Sequence, residues 1–294
     1  MTTITAEMVK ELRERTGSGM MECKKALTEA AGDMEAAVEA MRKSGLAKAD
    51  KKAGRTAAEG CIRVETSADG KRAIILEVNS ETDFVAKGDA FVDFANSVAK
   101  CALESGAGSL EQLLAVVMPA TGTTVEEVRR EMVAKIGENI NLRRFESVVS
   151  EAGIVASYLH GTRIGVLVDL VGTPELGKDV SMHVAASKPV CVDETGVPAE
   201  SIAKEKEIFA AQAAAEGKPA TIVEKMVEGR IKKFLGEITL TGQPFVKDPD
   251  QTVGKLLADQ GAKVARFVRF EVGEGIEKVE SNFAEEVMAQ VRGS

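Results

Sequence analysis

The strongest candidates for a functional role are residues 82–85, where the sequence reads Thr-Asp-Phe-Val. An acid and a large aromatic stand side by side there, between an apolar run at residues 73–78 and a helical pattern that carries Phe91 and Phe94. Connections between a strand and a helix lie on the surface and often carry function. A structural interpretation stays open, in which the threonine or aspartate caps the helix and the phenylalanine packs on the core. The direction of the phenylalanine decides between the two.

Patterns typical of catalysis are mostly missing from this sequence. It contains no HExxH, no nucleophile elbow and no GxGxxG after the first predicted strand. Its two histidines are His160 and His183, so a histidine metal site would need distant carboxylates. His160 precedes a glycine at a predicted hairpin tip, where it is either a turn residue or a partner contact. His183 lies in an apolar helical pattern and is interpreted as structural.

The segment at residues 172–179, Gly-Thr-Pro-Glu-Leu-Gly-Lys-Asp, is close to a phosphate-binding loop. It follows a predicted strand and precedes a predicted helix, but Asp179 replaces the hydroxyl residue that would hold magnesium. Pro174 lacks an N–H donor, and Glu175 adds negative charge where a phosphate would lie. Both changes oppose nucleotide binding, although an enzyme that uses this loop stays an alternative.

Composition limits the possible functions. The chain has 294 residues, is 44% hydrophobic and 29% charged, and is long enough for about two globular domains. A net charge of −8, no Trp and one Tyr disfavour a general nucleic-acid binder. The four cysteines, at least 38 positions apart, offer no metal knuckle and no disulfide framework. We expect neither a metal nor a cofactor.

The N-terminal sequence has no basic segment followed by an apolar one, and apolar runs stay far below membrane-spanning length. We therefore expect a cytoplasmic protein with reduced thiols and no membrane contact.

Residues 1–57 are predicted to form a three-helix domain with a linker. Apolar spacing indicates helices at Ala6–Arg15, Met21–Ala31 and Met34–Ser44. Met20 and Met21 lie in the break before the second helix, where either one packs inward and the other faces solvent as an adaptable contact residue, or both pack in the core.

The linker, residues 46–57, is predicted to be helical and is rich in basic residues: Lys48, Lys51, Lys52 and Arg55. A charge run of this kind is typical of a solvated face. A nucleic-acid-binding translation factor that uses these four residues stays an alternative.

The remaining sequence predicts a duplicated hairpin-plus-helix core. Gly70 and Leu76 of the first predicted hairpin match Gly161 and Leu167 of the second at an offset of 91 positions. The predicted units are residues 58–141, and 142–190 with 235–274. The first unit also contains predicted helices at Leu110–Met118 and Val125–Ile136.

Two further helical regions complete the predicted α+β fold. Residues 191–234 carry two apolar helical stripes around Gly217-Lys218-Pro219, which predicts an inserted antiparallel helical hairpin. Residues 275–294 are predicted to form a C-terminal module with a short amphipathic helix at 282–291.

Six groups of residues, spread over nearly the whole chain, are together highly specific for one family. They are Val9–Arg13 with Thr16–Gly17 and Gly19–Met21, Glu81–Ala86, Lys135–Asn139, His160–Gly161 with Arg163–Val168, Met182–Pro189, and Leu240–Phe245. In these motifs the chain resembles the bacterial translation elongation factor Ts family, the guanine nucleotide exchange factors of elongation factor Tu.

The resemblance implies a partner and a set of contacts. The N-terminal helices would form a ubiquitin-associated-type domain, and the helical hairpin would be a dimerisation element. Asp83 and Phe84, within the Thr82–Val85 motif, would enter the GTPase domain of elongation factor Tu and disturb its magnesium site. The other contact residues it implies are Lys10, Arg13, Met20, Met21, Ile136, Gly137 and His160.

The implied protein is a non-catalytic exchange factor. It would bind the GDP complex of elongation factor Tu and promote GDP release so that GTP can bind. It would not bind the nucleotide directly.

Overall fold

The computed structural model describes residues 3–16, 18–215 and 220–277. The predicted α+β class is confirmed. The helices are α1 (Ala6–Thr16), α2 (Met20–Glu29), α3 (Met34–Lys52), α4 (Asp83–Lys87), α5 (Asp89–Ser105), α6 (Leu110–Ala115), α7 (Val125–Ile136), α8 (Pro174–Ser187), α9 (Ala199–Ala215), α10 (Ala220–Ile238) and α11 (Val253–Asp259). The strands are β1 (Glu59–Thr66), β2 (Arg72–Ser80), β3 (Ile140–Val149), β4 (Ile154–His160), β5 (Ile164–Val171), β6 (Pro244–Phe245), β7 (Asp248–Thr252) and β8 (Lys263–Glu271).

Two three-stranded antiparallel sheets form the core, with the orders β1-β2-β3 and β4-β5-β8. In each sheet a hairpin is followed by helices, and a later strand pairs with the second strand of the hairpin. Each central strand carries one register irregularity, between Glu77 and Val78 in β2 and between Asp169 and Leu170 in β5. This common topology is what a duplicated hairpin-plus-helix unit produces.

The sheets stack face to face. Ile62 and Ile75 of the first sheet meet Leu167, Val268 and Phe270 of the second in one apolar layer. The outer face of the first sheet packs on α5, α6 and α7, and that of the second packs on α8 and α11. Because β2 is covered on both faces, its sequence is a continuous apolar run rather than an alternating one.

The N-terminal helices α1–α3 enclose a small core of their own, with Val9, Leu12 and Leu27 inside. The predicted boundary at Ser44 is wrong, because α3 continues to Lys52. Its second half is rich in Ala and Lys, which favour helix.

The extended part of α3 packs along α7. Arg42 forms ion pairs with Glu127 at 3.3 Å and with Glu131 at 3.2 Å, and Asp50 pairs with Arg130 at 2.5 Å. A Cβ atom at Gly45 would lie 3.0 Å from that of Ala134, so the two helices approach closely. The segment expected to be a solvated linker is thus largely a docked helix.

Two predicted helix boundaries also differ from the structure. The helix predicted over 110–118 ends at Ala115, since Val117 pairs with Thr124 and Pro119 disfavours helix in the residue before it. Helix α10 continues to Ile238, four residues beyond the predicted insertion. The predicted C-terminal helix at 282–291 lies outside the described residues.

Helices α9 and α10 pack on each other. The Arg230 guanidinium lies 5.8 Å from the centre of the Phe209 ring and donates to Gln212 at 2.9 Å. Ile231 and Leu235 of α10 join Val197, which precedes α9, in a small apolar cluster.

His183 of α8 joins the end of α10 to the second sheet's helical layer. Its Nδ1 accepts from the Val246 N–H at 3.2 Å, and its Nε2 is 3.0 Å from Gln243 Oε1. Gln243 in turn donates to the Glu237 carbonyl at 2.7 Å. The ring is fully buried, and this burial lowers its pKa, so it is neutral in the folded chain.

Acid should therefore destabilise the fold through His183. Below the unfolded-state pKa near 6.5, the unfolded chain binds a proton that the folded chain does not. Stability falls with decreasing pH by up to about 1.4 kcal/mol per unit from this group. We expect His183→Asn, which does not titrate, to lose this component in urea denaturation between pH 7.5 and 5.5. His160→Ala, at the exposed histidine, should retain it.

Candidate functional site

Thr82 caps the short helix α4 and fixes its start. Its backbone is extended, and its hydroxyl accepts from the Val85 N–H at 3.4 Å. The carboxylate of Glu138, 56 residues away, accepts from the Thr82 N–H at 3.0 Å and from its hydroxyl at 2.7 Å. The Ser80 hydroxyl donates to the Thr82 carbonyl at 2.9 Å. Thr82 is therefore held through its N–H, its carbonyl and its side chain.

Phe84 points into solvent. With 85% of its surface exposed, it exceeds every other exposed large hydrophobic side chain in the described part of the chain. Asp83 beside it pairs with Lys87 at 2.6 Å, and the hydrogen bond from that lysine holds the pKa of the carboxyl below its usual range. Val85 turns inward onto the core around α5. The cap interpretation holds for Thr82, but the expectation that Phe84 packs on the core is wrong.

The second half of the core shows that the fold does not require the acid–aromatic pair. Thr173, at the predicted offset of 91 from Thr82, caps α8 by accepting from the Leu176 N–H at 3.2 Å. Pro174 and Glu175 follow it, where Asp83 and Phe84 follow Thr82. The cap is thus shared, whereas the exposed aromatic belongs to the first unit alone.

Ile136 and Gly137 lie directly beside this turn. Gly137 ends α7 with a φ of +88°, a conformation that favours glycine, and Ile136 packs partly into the core. The next residue, Glu138, binds Thr82. Asn139 donates its N–H to Glu81 at 2.6 Å and its side-chain amide to the Arg55 carbonyl at 2.7 Å.

Sequence reasoning did not assign a role to Glu138 or Asn139. The available signal was a carboxylate and an amide placed directly after a helix-ending glycine.

His160 is the last residue of β4 and is exposed, with its Nδ1 3.3 Å from the Tyr158 hydroxyl. The turn that follows it meets the first sheet. The Ile62 N–H donates to the Thr162 carbonyl at 2.7 Å, and Arg163 pairs with Glu59 at 3.1 Å. Since Glu59 lies opposite Ser80 in the first sheet, His160 and the Thr82–Val85 turn share one end of the stacked sheets.

Met20 and Met21 open α2 and both face solvent, with 53% and 76% of their surfaces exposed. The core alternative for this pair is therefore wrong, as is the expectation that one of the two packs inward. Lys10 and Arg13 are exposed on α1, where Lys10 lies 3.9 Å from Glu14. These four side chains form a second accessible group within the N-terminal helices.

The basic stretch is partly engaged by the site itself. Lys52 donates to the Gly137 carbonyl, and Arg55 lies 3.6 Å from Glu81. Lys51 is exposed, and the Lys48 side chain is outside the described part of the structure. Two of the four basic residues in this stretch are thus engaged by groups beside the Thr82–Val85 turn.

Two polar side chains of the loop at 172–179 are likewise engaged. Thr173 caps α8, and Asp179 pairs with Lys247 at 2.5 Å.

Within the described residues, no cluster of three or more His, Cys, Asp or Glu could hold a metal ion. A helix long and apolar enough to cross a membrane is likewise absent from that part of the chain.

Comparison with known proteins adds what geometry alone does not give. A family profile described as Elongation factor TS matches residues 81–274. The elongation factor Ts of Methylococcus capsulatus is 76% identical over 293 residues, which are 99% of this chain and 100% of that protein. This chain belongs to the elongation factor Ts family.

Two further family members show the same coverage. The elongation factor Ts of Thioalkalivibrio sulfidiphilus is 64% identical, and that of Legionella pneumophila strain Paris is 57% identical, each covering 99% of this chain and 100% of the relative. Membership of the elongation factor Ts family makes the chain a translation elongation factor of the exchange-factor class. The resemblance found in the sequence motifs is confirmed.

The two aromatic residues of this region should differ sharply in their effect on stability. Phe84→Ala removes an exposed ring and should change the free energy of unfolding by less than about 0.5 kcal/mol. Phe91→Ala, at a ring only 1% exposed, should cost about 3–5 kcal/mol. Urea denaturation of both variants measures the difference. Equal losses would mean that Phe84 supports the fold and does not serve as a free contact.

Proposed function

We propose that this chain is the guanine nucleotide exchange factor of elongation factor Tu, acting in translation elongation. It binds the GDP complex, disturbs the magnesium and phosphate site and promotes GDP release, so that GTP can bind. The observation that carries the proposal is the 85% exposed Phe84, presented beside Asp83 on a capped turn. Family membership supports the partner and the class of activity. The chain itself performs no bond-making step.

The two residues contribute different forces. Phe84 inserts an apolar ring that gains free energy when it leaves water. Asp83 brings a carboxylate towards a site built to bind a phosphate and its cation, where it competes with the anion or displaces the cation. Its carboxylate, whose pKa is lowered by the hydrogen bond from Lys87, is charged at neutral pH.

Binding linkage sets the free energy that the contacts must supply. If the chain weakens GDP binding by a given factor, GDP weakens binding of the chain by the same factor. A roughly 10⁴-fold effect requires about 5.5 kcal/mol. Burying one Phe contributes only about 1.5–3 kcal/mol. Several separated contacts must therefore share the work.

The other exposed groups supply those contacts. Thr82, Val85, Ile136 and Gly137 shape the surface around Phe84. His160 contacts a second part of the partner from the same end of the stacked sheets. Lys10, Arg13, Met20 and Met21 form the third contact. Because α3 is docked on α7, these contacts are presented together rather than by a free tether.

Finer features of the family complete the proposal. The three N-terminal helices act as a ubiquitin-associated-type domain, and the C-terminal module, residues 275–294, adds a contact to the partner. The α9–α10 pair serves as a dimerisation element. The protein works in the cytoplasm, with no cofactor, no direct nucleotide binding and no nucleic-acid or membrane partner.

Removing the Phe84 ring should slow nucleotide release more than it weakens complex formation. With elongation factor Tu loaded with labelled GDP, saturating Phe84→Ala should stimulate release roughly 10- to 100-fold less than the unchanged chain, the equivalent of about 1.5–3 kcal/mol. Val149→Ala, at a side chain 55% exposed on β3, is the matched control and should act like the unchanged chain. Undiminished release with Phe84→Ala would refute the proposal that Asp83 and Phe84 enter the partner as a wedge.

The methionine pair should behave in the opposite way. The double variant Met20→Ala, Met21→Ala removes contact area distant in sequence from the wedge, so it should raise the half-saturating concentration several-fold and leave the rate at saturation nearly unchanged. A titration of GDP release against chain concentration separates the two quantities. A lower saturating rate with unchanged affinity would contradict an anchoring role.

A further inference from the structure

We propose that Glu138 is a positioning residue for the Asp83–Phe84 wedge, an inference that rests on the proposed function. Its two carboxylate oxygens accept from the Thr82 N–H at 3.0 Å and from the Thr82 hydroxyl at 2.7 Å. Hydrogen bonds to a charged acceptor are stronger than those between neutral groups. The carboxylate thus holds the residue immediately before the wedge.

Helix α4 needs such support because it is short and shallow. It has five residues, all described, and none of them is buried. Helices of this length do not form in water without outside contacts. By comparison, α8 in the second unit has 14 residues, seven of which are buried. Extensive packing therefore orients α8, whereas α4 packs only through its half-buried Val85 and Ala86 and depends more on the groups that bind its first turn.

Glu138 is itself held from both sides. Gly137 before it ends α7, and its carbonyl accepts from Lys52 at the end of α3. Asn139 after it is 5% exposed and bonds to Glu81 and to the Arg55 carbonyl. The carboxylate therefore projects from a fixed backbone and can transmit that order to Thr82. Through the Gly137 carbonyl and the Asn139 amide, the wedge is also connected to Lys52 at the end of α3 and to Arg55 just after it.

A wedge ordered in advance loses less conformational freedom when it enters the partner. Losing Glu138 should therefore reduce the rate of GDP release at saturation and leave the distant contacts intact. The effect should resemble that of a misplaced Phe84, although Glu138 does not need to touch the partner. We therefore expect the rate of GDP release to depend on the hydrogen-bond acceptors at position 138 and not on the charge there alone.

The first test uses the free chain and is independent of any partner. Amide hydrogen exchange, followed by NMR, should be at least about tenfold faster at Thr82–Val85 in Glu138→Ala than in the unchanged chain, since opening then breaks fewer bonds. Glu104→Ala removes the same charge from an exposed site on α5 and is the matched control. Its 82–85 amides should exchange at the original rate. Unfolding midpoints verify that both variants fold.

The second test measures labelled-GDP release from elongation factor Tu at saturating chain. Glu138→Ala should lower the maximal rate roughly tenfold with a nearly unchanged half-saturating concentration, whereas Glu104→Ala should change neither. Glu138→Gln keeps one acceptor oxygen and should restore part of the rate. Thr82→Val removes the hydroxyl that donates to Glu138, and so breaks the same hydrogen bond without changing Glu138. It should lower the rate even if a Glu138 variant folds poorly.

The outcomes separate the positioning role from the proposed function. Unchanged 82–85 exchange in Glu138→Ala overturns the idea that the carboxylate orders the turn. Faster exchange with an unchanged maximal rate overturns the positioning role. If Glu138→Gln restores the slow 82–85 exchange but none of the rate, the hydrogen bonds to Thr82 do not set the rate, which also overturns it. If the unchanged chain fails to release GDP, the proposed function fails, while the free-chain measurement still decides whether Glu138 orders the turn.

Discussion

The apolar layer between the two sheets fixes the Thr82–Val85 turn and His160 at one end of the core. Ile62 and Ile75 interlock there with Leu167 and Val268, and Gly165 leaves the space that the Ile62 side chain fills. Sheets packed in this way cannot slide without exposing apolar area. The stacking therefore fixes the turn after β4 against the start of β1. The Thr82–Val85 turn and His160, 78 positions apart in the sequence, thus lie at the same end of the stacked sheets.

The layer becomes polar towards that surface. Glu77 lies on the inner face of β2, fully buried, and accepts from Arg143 at 3.1 Å, from Arg144 at 2.5 Å and from the Gly273 N–H at 2.8 Å. Burial alone would raise the pKa of this carboxyl, but these hydrogen bonds, with one from Asn79, hold it below its usual value. A buried charge without such partners would be strongly destabilising. The network joins the two sheets three residues before the turn that begins at Ser80.

Local patterns predicted much of this fold, and long-range contacts explain the rest. Helical spacing and turn glycines identified most helices and both large hairpins, and the Thr82 cap follows from residue type alone. The docking of the second half of α3 on α7 could not be predicted in this way, because it depends on contacts such as Asp50 with Arg130, 80 residues apart in the sequence. The direction of Phe84 and the role of Glu138 were also hidden. Each depends on which side chain lies nearby in space, and single-sequence spacing carries no such information.

An exposed Phe84 is tolerable because one apolar side chain in water costs a folded protein little against its total stability. Its burial free energy is not used in folding and remains available for binding. That gain is useful only if the ring enters the partner in one orientation, since ordering a free loop at the moment of binding offsets part of it. A five-residue helix without a fully buried residue, packed on the core through the half-buried Val85 and Ala86, gains less orientation from packing than a longer helix does. The hydrogen bonds at Thr82 therefore contribute more to the orientation of Phe84 than the helix that follows. The direction of a wedge this small depends on Glu138, 56 positions away in the sequence.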